Sequence, residues 1–277
     1  MNMKKIKAWL SLMRIGNSLA IGFAALVGYR VSGGDVFSVQ GMLLFVSAML
    51  IGIGSNAVND YFDRYIDSIN KPWRPIPSGY ISATTAHIFS IISMISGTII
   101  GFTISMLNGL IAGLASILAY AYSWRLKKVL IIGNLMIALL SSLTIIYGGI
   151  ATLSPQASII PALYAFLINL GREFLKGIED IEGDKIYGVN TLATRFGARI
   201  AYFSALAVLM VLILISPLPF LIHGYTILYL IIAILGVDIP TIIALYIVKN
   251  LEPKKAWKAT RIMKISMFSG LLAFFVG

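Results

Sequence analysis

The chain contains no cysteine, which excludes disulfide bonds, thiolate catalysis and cysteine-ligated metal sites. It has only two histidines, His87 and His223. The helices predicted below place them near opposite faces of the membrane, so a histidine metal site is not expected. A phosphate-binding loop of the GxxxxGK[ST] type is also missing, which argues against a nucleotide-binding protein. Charged residues make up only 12% of the chain, whereas soluble domains carry roughly 25%.

The sequence contains long apolar runs without charged residues. Residues 81–124 and 129–171 contain no Asp, Glu, Lys or Arg. The first of these runs has 44 residues, which as one helix would be about 66 Å long. That is about twice the thickness of a hydrocarbon core, which is roughly 30 Å. Each run is therefore interpreted as two membrane helices joined by a turn.

Turn-forming residues divide the apolar runs where this interpretation needs them. They are VSGGD (31–35), MLNG (106–109), LSPQ (153–156) and PLPFLIHG (217–224). The pattern predicts an all-α membrane protein of nine transmembrane helices, forming a single domain over residues 1–277. The predicted spans are 12–31, 37–58, 81–105, 108–124, 129–152, 157–176, 200–222, 224–248 and 262–277.

Lys and Arg lie almost entirely on one side of this topology. Of the 22 basic residues, 21 fall on the side of the N-terminus, and only Arg30 falls on the other. The positive-inside rule then predicts that the N-terminus and the long polar loops are cytoplasmic, in a plasma-membrane protein. Anionic lipid headgroups account for the net charge of +11, so no nucleic-acid partner is expected.

The first polar cluster is NDYFDRYIDSINKPWRPIPSG, residues 59–79. Asn59, Asp63 and Asp67 are spaced i, i+4, i+8, so they line one stripe if the second span continues as a helix. Asp60 lies about 100° away around that helix. Carboxylates at this spacing repel one another, and a divalent cation would relieve the repulsion. Carboxylate and amide oxygens suit Mg²⁺. The alternative, a solvated helix end with incidental acids, leaves the Asn and the regular spacing unexplained.

The second polar cluster lies in REFLKGIEDIEGDKIYGVNTLATRFG, residues 172–197. Asp180 and Asp184 again have the i, i+4 spacing. Lys176, four residues before Asp180, either pairs with that carboxylate or meets an anionic ligand held by the metal ions. Glu179 and Glu182 are expected to point elsewhere, as surface charges.

The two clusters lie 121 positions apart, with four predicted spans in each interval. This suggests a weak internal repeat, in which two acidic patches face each other at the cytoplasmic ends of the helices. Such patches, with Lys and Arg between them, suit a diphosphate that Mg²⁺ bridges to the carboxylates. Because the chain is a membrane protein, the expected ligand is a diphosphate whose tail dissolves in the bilayer, a polyprenyl diphosphate. A water-poor cavity would protect the allylic cation that forms when the diphosphate leaves.

A cation transporter is the alternative from a different functional class. Transporters place their ion sites near the bilayer midplane on interrupted helices, whereas the two acidic clusters fall at helix ends. Asp238, in GVDIPT (236–241), is the one acid near a midplane. It is either a functional group or a polar contact between helices, and Pro240 beside it can kink the span.

These motifs resemble those of the intramembrane (UbiA-type) prenyltransferases. NDYFDRYID matches the family's NDxxDxxxD motif, and DIEGD matches its second motif, DxxxD. NKPWRPIPSG and TLATRFG resemble the segments that follow the two motifs. The resemblance covers essentially the whole chain and implies a helical bundle around a central cavity. Cytoplasmic helix-loops would cap its mouth, and a lateral opening would admit lipids.

The resemblance also implies roles for individual residues. The Mg²⁺ ligands would be Asn59, Asp63, Asp67, Asp180 and Asp184. The catalytic acids would be Asp60, Asp63, Asp180 and Asp184. The residues that bind substrate would be Arg14, Asn17, Lys71, Arg74, Tyr122, Lys127, Lys128, Lys176, Lys185 and Arg195.

Two further segments, YSWRLKKVLIIGN (122–134) and GIEDIEGDK (177–185), are similar to those of one archaeal branch of the family. That branch transfers a geranylgeranyl group from geranylgeranyl diphosphate to the hydroxyl of geranylgeranylglyceryl phosphate and so forms an ether. A phosphate-bearing acceptor would use the extra basic residues near the mouth, although Lys127 and Lys128 could equally be charges that set the topology. An aromatic acceptor of quinone-type pathways remains the alternative.

Overall fold

The computed structural model describes residues 3–277, and helices without strands make up the ordered elements of that part. The chain forms two compact units. The first contains the chain up to Arg125 together with residues 146–156, and the second contains residues 126–145 and 157–277. The boundary after Arg125 falls at the end of the fourth predicted span.

The first unit is built from five helices. They are α1 (Met3–Met13), α2 (Ile15–Val31), α3 (Val39–Asn70), α4 (Ala83–Ile104) and α5 (Met106–Trp124). The last three each begin at a serine, Ser38, Ser82 or Ser105, whose side chain accepts a hydrogen bond from a backbone N–H of the first turn. The boundaries of these helices are therefore set locally by the sequence.

Small residues bring α3 and α4 together. A Cβ added at Gly54 would lie 2.7 Å from the carbonyl oxygen of Ser90, and one at Gly97 would lie 2.7 Å from that of Ser47. Ser47 Oγ also donates to the carbonyl of Gly97 at 2.7 Å. Such small-residue contacts are the usual means of close helix packing in a membrane. These contacts fix the position of α3, the helix that carries the first polar cluster.

The predicted first span is broken in the structure. Arg14 separates α1 from α2 in a left-handed conformation, with φ of 44°, and the two helices are bent by 41°. The freed carbonyl of Met13 accepts hydrogen bonds from Ser18 Oγ at 2.8 Å and Asn56 Nδ2 at 3.4 Å. A non-glycine residue in this conformation costs about 1–3 kcal/mol, which these two contacts help to offset.

The second unit contains most of α6 (Ile132–Gly149) and the helices that follow. These are α7 (Ile159–Glu179), α8 (Ile181–Ile186), α9 (Leu192–Phe196), α10 (Ala198–Ile215), α11 (Leu218–Ile222), α12 (Ile227–Ile232), α13 (Ile239–Val248) and α14 (Pro253–Val276). A π-helical turn, Ala233–Asp238, joins α12 to α13. Helix α7 packs against α10 and α14, which fixes the segment that leads into the second polar cluster.

Eight helical segments in residues 3–277 are long and apolar enough to cross a membrane, and the bent pair α1 and α2 would be a ninth. The predicted spans are therefore close to the observed ones, with shifted ends. The last predicted span, 262–277, begins nine residues earlier, at Pro253. The second, predicted to end at 58, runs on through the polar cluster to Asn70.

Candidate functional site

The first polar cluster lies on a continuous helix, as its spacing predicts. Helix α3 passes through Asn59, Asp63 and Asp67 without interruption. Asn59 Nδ2 donates to Asp63 Oδ2 at 3.0 Å, so these two residues meet along one stripe of the helix. An amide and a carboxylate are thereby held together on the half-exposed part of the helix surface.

Two arginines neutralise the buried acids of this cluster. Asp60 accepts from Arg14 Nη2 at 2.5 Å and from Arg74 Nη1 at 3.2 Å, although its side chain is only 5% exposed. Arg74 Nη1 also pairs with Asp67, whose side chain is 6% exposed. One guanidinium thus bridges two carboxylates that would otherwise repel each other, and such charge-assisted bonds are short and strong.

The loop after α3 places Arg74 against the helix that precedes it. Its N–H donates to the carbonyl of Lys71 at 2.9 Å, and its own carbonyl accepts from Ser78 Oγ at 2.7 Å. Lys71 ends α3 and is exposed. The two basic residues predicted to bind substrate here therefore have different surroundings. Arg74 is paired with carboxylates, whereas Lys71 is exposed on the surface.

Arg14 reaches Asp60 because of the helix break. The left-handed backbone at Arg14 ends α1, and its guanidinium contacts α3 from there. Asn17, predicted to bind substrate beside it, is exposed. Sequence reasoning missed Asn56, whose amide holds the break, since only its place one helical turn before Asp60 could have drawn attention to it.

An aromatic group lies next to the first cluster and was also missed. The ring of Tyr61 stacks on His87 with a centroid distance of 4.2 Å, and His87 Nε2 lies 3.1 Å from the Tyr120 hydroxyl. Phe62 meets Tyr120 edge to face. This packing secures α4 and α5 against the polar end of α3.

The second polar cluster lies where one helix gives way to another. Asp180 separates α7 from α8 and is exposed, whereas Asp184 is half-buried within α8. The Asp184 N–H donates to the carbonyl of Asp180 at 2.8 Å, so the predicted i, i+4 relation holds for the backbone. Burial, together with the negative charge of Asp180, raises the pKa of Asp184 to about 7, and Lys176 opposes this rise.

Among the neighbours of this cluster, only Glu179 differs from its prediction. Lys176 approaches Glu173 at 3.9 Å, and Glu173 is buried and also paired with Arg172 at 3.0 Å. Glu179, predicted to be a surface charge, is half-buried and accepts from Thr260 Oγ1 at 2.6 Å. The long helix α14 supplies that hydroxyl, and the chain separation of 81 residues hid the contact from sequence reasoning. Glu182 is exposed, as expected.

The remaining predicted substrate-binding residues lie at helix ends and in loops. Tyr122 is half-buried in the last turn of α5. Lys127 and Lys128 form a short 3₁₀ turn, whose Lys128 carbonyl accepts from the Asn190 N–H at 3.3 Å. Lys185 in α8 and Arg195 in α9 are both exposed.

The donor atoms in both clusters are hard oxygens, which are the ligands that Mg²⁺ prefers. Within residues 3–277, no group of three or more His, Asp or Glu side chains is arranged to hold a metal ion by itself. Mg²⁺ usually contacts one or two protein carboxylates and takes its other ligands from water or phosphate oxygens. The carboxylate and amide oxygens of the two clusters are therefore compatible with Mg²⁺.

Comparison with known proteins places these motifs in a family. Residues 21–268 match the UbiA prenyltransferase family. A digeranylgeranylglyceryl phosphate synthase of Sulfolobus acidocaldarius is 38% identical over 98% of both chains. A solved structure described as concerning digeranylgeranylglyceryl phosphate synthase in membranes is 33% identical over 99% of both chains, with a TM-score of 0.79. A UbiA homologue from Archaeoglobus fulgidus, bound to GPP and Mg²⁺, has the same fold at 21% identity, covering 96% of this chain and 99% of its own, with a TM-score of 0.74. The chain belongs to the UbiA prenyltransferase family, and it is a multi-pass membrane protein of all-α fold.

Proposed function

We propose that this enzyme transfers a geranylgeranyl group from geranylgeranyl diphosphate to the hydroxyl of geranylgeranylglyceryl phosphate. The observation that carries this proposal is the near full-length similarity to relatives that bear the name digeranylgeranylglyceryl phosphate synthase. Both acidic motifs and the extra basic residues of the 122–134 and 177–185 segments agree with it. The reaction belongs to the synthesis of ether lipids.

Mg²⁺ would be held by Asn59, Asp63, Asp67, Asp180 and Asp184, acting on one diphosphate. When bound, it neutralises the charge of the diphosphate and makes that group a better leaving group. The hydrogen bond between Asn59 and Asp63 holds two of these donors in place. Asp67 would have to exchange its contact with Arg74 for a new partner.

The chain's own cations complete the proposed donor site. Once Asp67 has another partner, Arg74 is free to turn one face toward the diphosphate while Asp60 still holds it. Arg14 and Arg74 both contact Asp60, so Asp60 acts by positioning the two arginines. The basic residues Lys71, Lys127, Lys128, Lys176, Lys185 and Arg195, together with Asn17 and Tyr122, are proposed to bind the diphosphate or the acceptor phosphate.

The bond changes in the proposed reaction balance without a further reactant. The bond between C1 of the prenyl chain and the diphosphate oxygen breaks, and the electron pair stays on the diphosphate. The acceptor hydroxyl oxygen forms the new bond to C1, and its proton passes to the released diphosphate. The apolar helices exclude water, which would otherwise capture the allylic cation.

A panel of acceptors tests the proposal. Purified protein in detergent would be given Mg²⁺, radiolabelled geranylgeranyl diphosphate and either geranylgeranylglyceryl phosphate or aromatic acids of the quinone-precursor type. We expect labelled ether product from the glyceryl phosphate lipid alone. Product from an aromatic acceptor, with none from the lipid, would replace the proposed acceptor by an aromatic one.

The placement of the enzyme is part of the proposal. We infer that it lies in the plasma membrane with its N-terminus and polar loops in the cytoplasm, where soluble prenyl diphosphates are available. The distribution of the basic residues supports this orientation. Labelling of single cysteines introduced at Lys71 and Phe37 in intact cells, which the cysteine-free chain permits, would show Phe37 reactive from outside and Lys71 protected.

A further inference from the structure

Asp238 is a buried carboxylate that the proposed reaction does not use. It is the twelfth residue of the 22-residue span Ile227–Val248, so it lies near the middle of the membrane. Its exposure is only 7%. An ionisable group at that depth is costly unless it has a partner, and such groups usually mark a functional site.

The oxygen atoms around Asp238 are incompletely paired. Asp238 Oδ2 accepts a hydrogen bond from Ser216 Oγ at 2.6 Å, but Oδ1 is buried and has no hydrogen-bond partner within residues 3–277. Thr241 is fully buried, and its Oγ1 also lacks a partner in the described part of the chain. Residues three apart on a helix lie on the same face, which puts Asp238 and Thr241 on one side of this segment.

The backbone adds a further oxygen to this region. The π-helical turn Ala233–Asp238 ends at the acid, and Pro240 follows it. Pro240 has no N–H, so one carbonyl of the preceding turn lacks its usual helical donor. Carbonyls point toward the C-terminal end of a helix, which directs that oxygen toward the level of Asp238 and Pro240. Such π-helical turns occur frequently at functional sites.

The surroundings hold these groups in place. Tyr229 donates to the carbonyl of Ser216 at 2.9 Å, and Tyr164 donates to the carbonyl of Ile215. Both carbonyls at the end of α10 are therefore satisfied, which leaves the Ser216 hydroxyl to Asp238. A Cβ added at Gly236 would lie 2.7 Å from Ser269 Cβ, so α14 packs directly on the π-helical turn.

The chemistry of the region selects the class of ligand. The available atoms are one carboxylate, hydroxyl oxygens and a backbone carbonyl, which are hard ligands for a hard cation. No ion pair joins Asp238 to a basic side chain within residues 3–277. A single carboxylate balances one positive charge, whereas a divalent ion in this apolar setting would leave an uncompensated charge.

We propose that Asp238, Thr241 and the π-helical turn between α12 and α13 form a binding site for one monovalent cation of the Na⁺ class, deep in the membrane region. The cation pairs with Asp238 Oδ1 and satisfies the hydroxyl of Thr241. It fastens the π-helical turn to the end of α10 through Ser216. The site is structural or regulatory and is independent of the proposed prenyl transfer.

Binding of radiolabelled Na⁺ to the purified protein tests the proposal directly. We expect about one Na⁺ per chain, displaced by unlabelled NaCl but not by choline chloride. Asp238→Asn should lose this binding, and Thr241→Val should weaken it at least threefold. Asp35→Asn is the matched control, because it removes one acid from an exposed turn and should leave binding unchanged.

Thermal unfolding gives a second measurement that does not depend on activity. Replacing choline by Na⁺ at constant ionic strength should raise the melting temperature of the wild type by about 3–6 °C, since a ligand that binds only the folded state stabilises it. The shift should vanish in Asp238→Asn and shrink in Thr241→Val. Equal melting temperatures in both salts, or Na⁺ binding that persists in Asp238→Asn, would overturn the proposal and leave a protonated Asp238 or a buried water molecule in its place.

Discussion

The two acidic motifs contain similar side chains, but the surroundings of their carboxylates differ. The first lies on a single helix, and its buried acids Asp60 and Asp67 are neutralised by Arg14 and Arg74. The second lies at the junction of α7 and α8, where Asp180 is exposed and Asp184 is half-buried. Its nearby cation, Lys176, opposes the rise in the pKa of Asp184 and lies 3.9 Å from Glu173.

In the first motif two arginines pair with buried acids, and in the second motif backbone hydrogen bonds hold the segment around Asp184. The guanidinium groups of Arg14 and Arg74 hold the first motif in place before a ligand binds. A metal ion that binds Asp67 must first displace its contact with Arg74. The second motif is held by the turns that follow it, where the Val189 N–H donates to the carbonyl of Asp184 at 2.8 Å. Substitutions that act on ion pairs should therefore affect the first motif most, and backbone substitutions the second.

The largest expected effect is on turnover, and it should be the same for both motifs. Asp63→Ala and Asp184→Ala should each lower transfer of labelled geranylgeranyl by about 100- to 1000-fold, because each removes charge stabilisation of the departing diphosphate. Asp35→Ala, an exposed acid on a loop, is the control. If only one of the two variants loses activity, the motifs do not act on the same diphosphate.

Arg74→Gln should have the largest effect on stability. It leaves Asp67 without its guanidinium and Asp60 with Arg14 alone, and breaking a buried pair costs about 3 kcal/mol. The melting temperature in detergent should fall by about 6 °C or more. Added MgCl₂ should restore more stability to this variant than it adds to the wild type, because the carboxylates are open to the ion.

Lys71→Gln is the matched control for Arg74, since Lys71 is an exposed cation three residues earlier. Its melting temperature should stay within about 1 °C of the wild type, as surface charges contribute little. Equal melting temperatures for the two variants would show that the ion pairs do not hold the first motif.

Gly188→Ala should disturb the second motif through the backbone. Gly188 has a φ of 65°, and a Cβ there would meet no atom within 4 Å, so the cost is conformational and about 1–2 kcal/mol. The Mg²⁺ concentration needed for half-maximal transfer should rise. Gly188→Asn, which tolerates this conformation better, should recover part of the loss. Gly183→Ala, in α8 and with open space around it, should be neutral, and equal losses at both glycines would contradict this account.

Lys176→Gln should lower stability much less than Arg74→Gln does. Its side chain is 41% exposed and lies 3.9 Å from Glu173, so the pair contributes less than about 0.5 kcal/mol. The KM for the prenyl diphosphate should nevertheless rise by about 3- to 10-fold, because a cation beside the second motif is lost. A fall in melting temperature as large as that of Arg74→Gln would remove the contrast between the motifs.

Sequence patterns predicted the membrane helices because hydrocarbon thickness and turn residues act locally. The stripe of Asn59 and Asp63 was also predictable, since helical periodicity alone brings them together. The break at Arg14 was not, because no proline marks it and the freed carbonyl of Met13 is satisfied by Asn56, which is 43 residues from Met13. The pairing of Arg74 with Asp67 was not predicted, because it depends on how the loop after α3 folds back onto that helix.

Composition, periodicity and the spacing of acids by themselves determined a multi-pass helical membrane protein with two acidic motifs at helix ends. These features act over one or two helical turns, so the sequence displays them directly. Tertiary structure alone decided which carboxylates are neutralised by arginine, which backbone segment is bent and which oxygens around Asp238 stay unpaired. Those outcomes depend on contacts between helices that are distant in sequence. A polar atom that loses its water on burial must find a partner within the fold, and packing determines which partner is in reach.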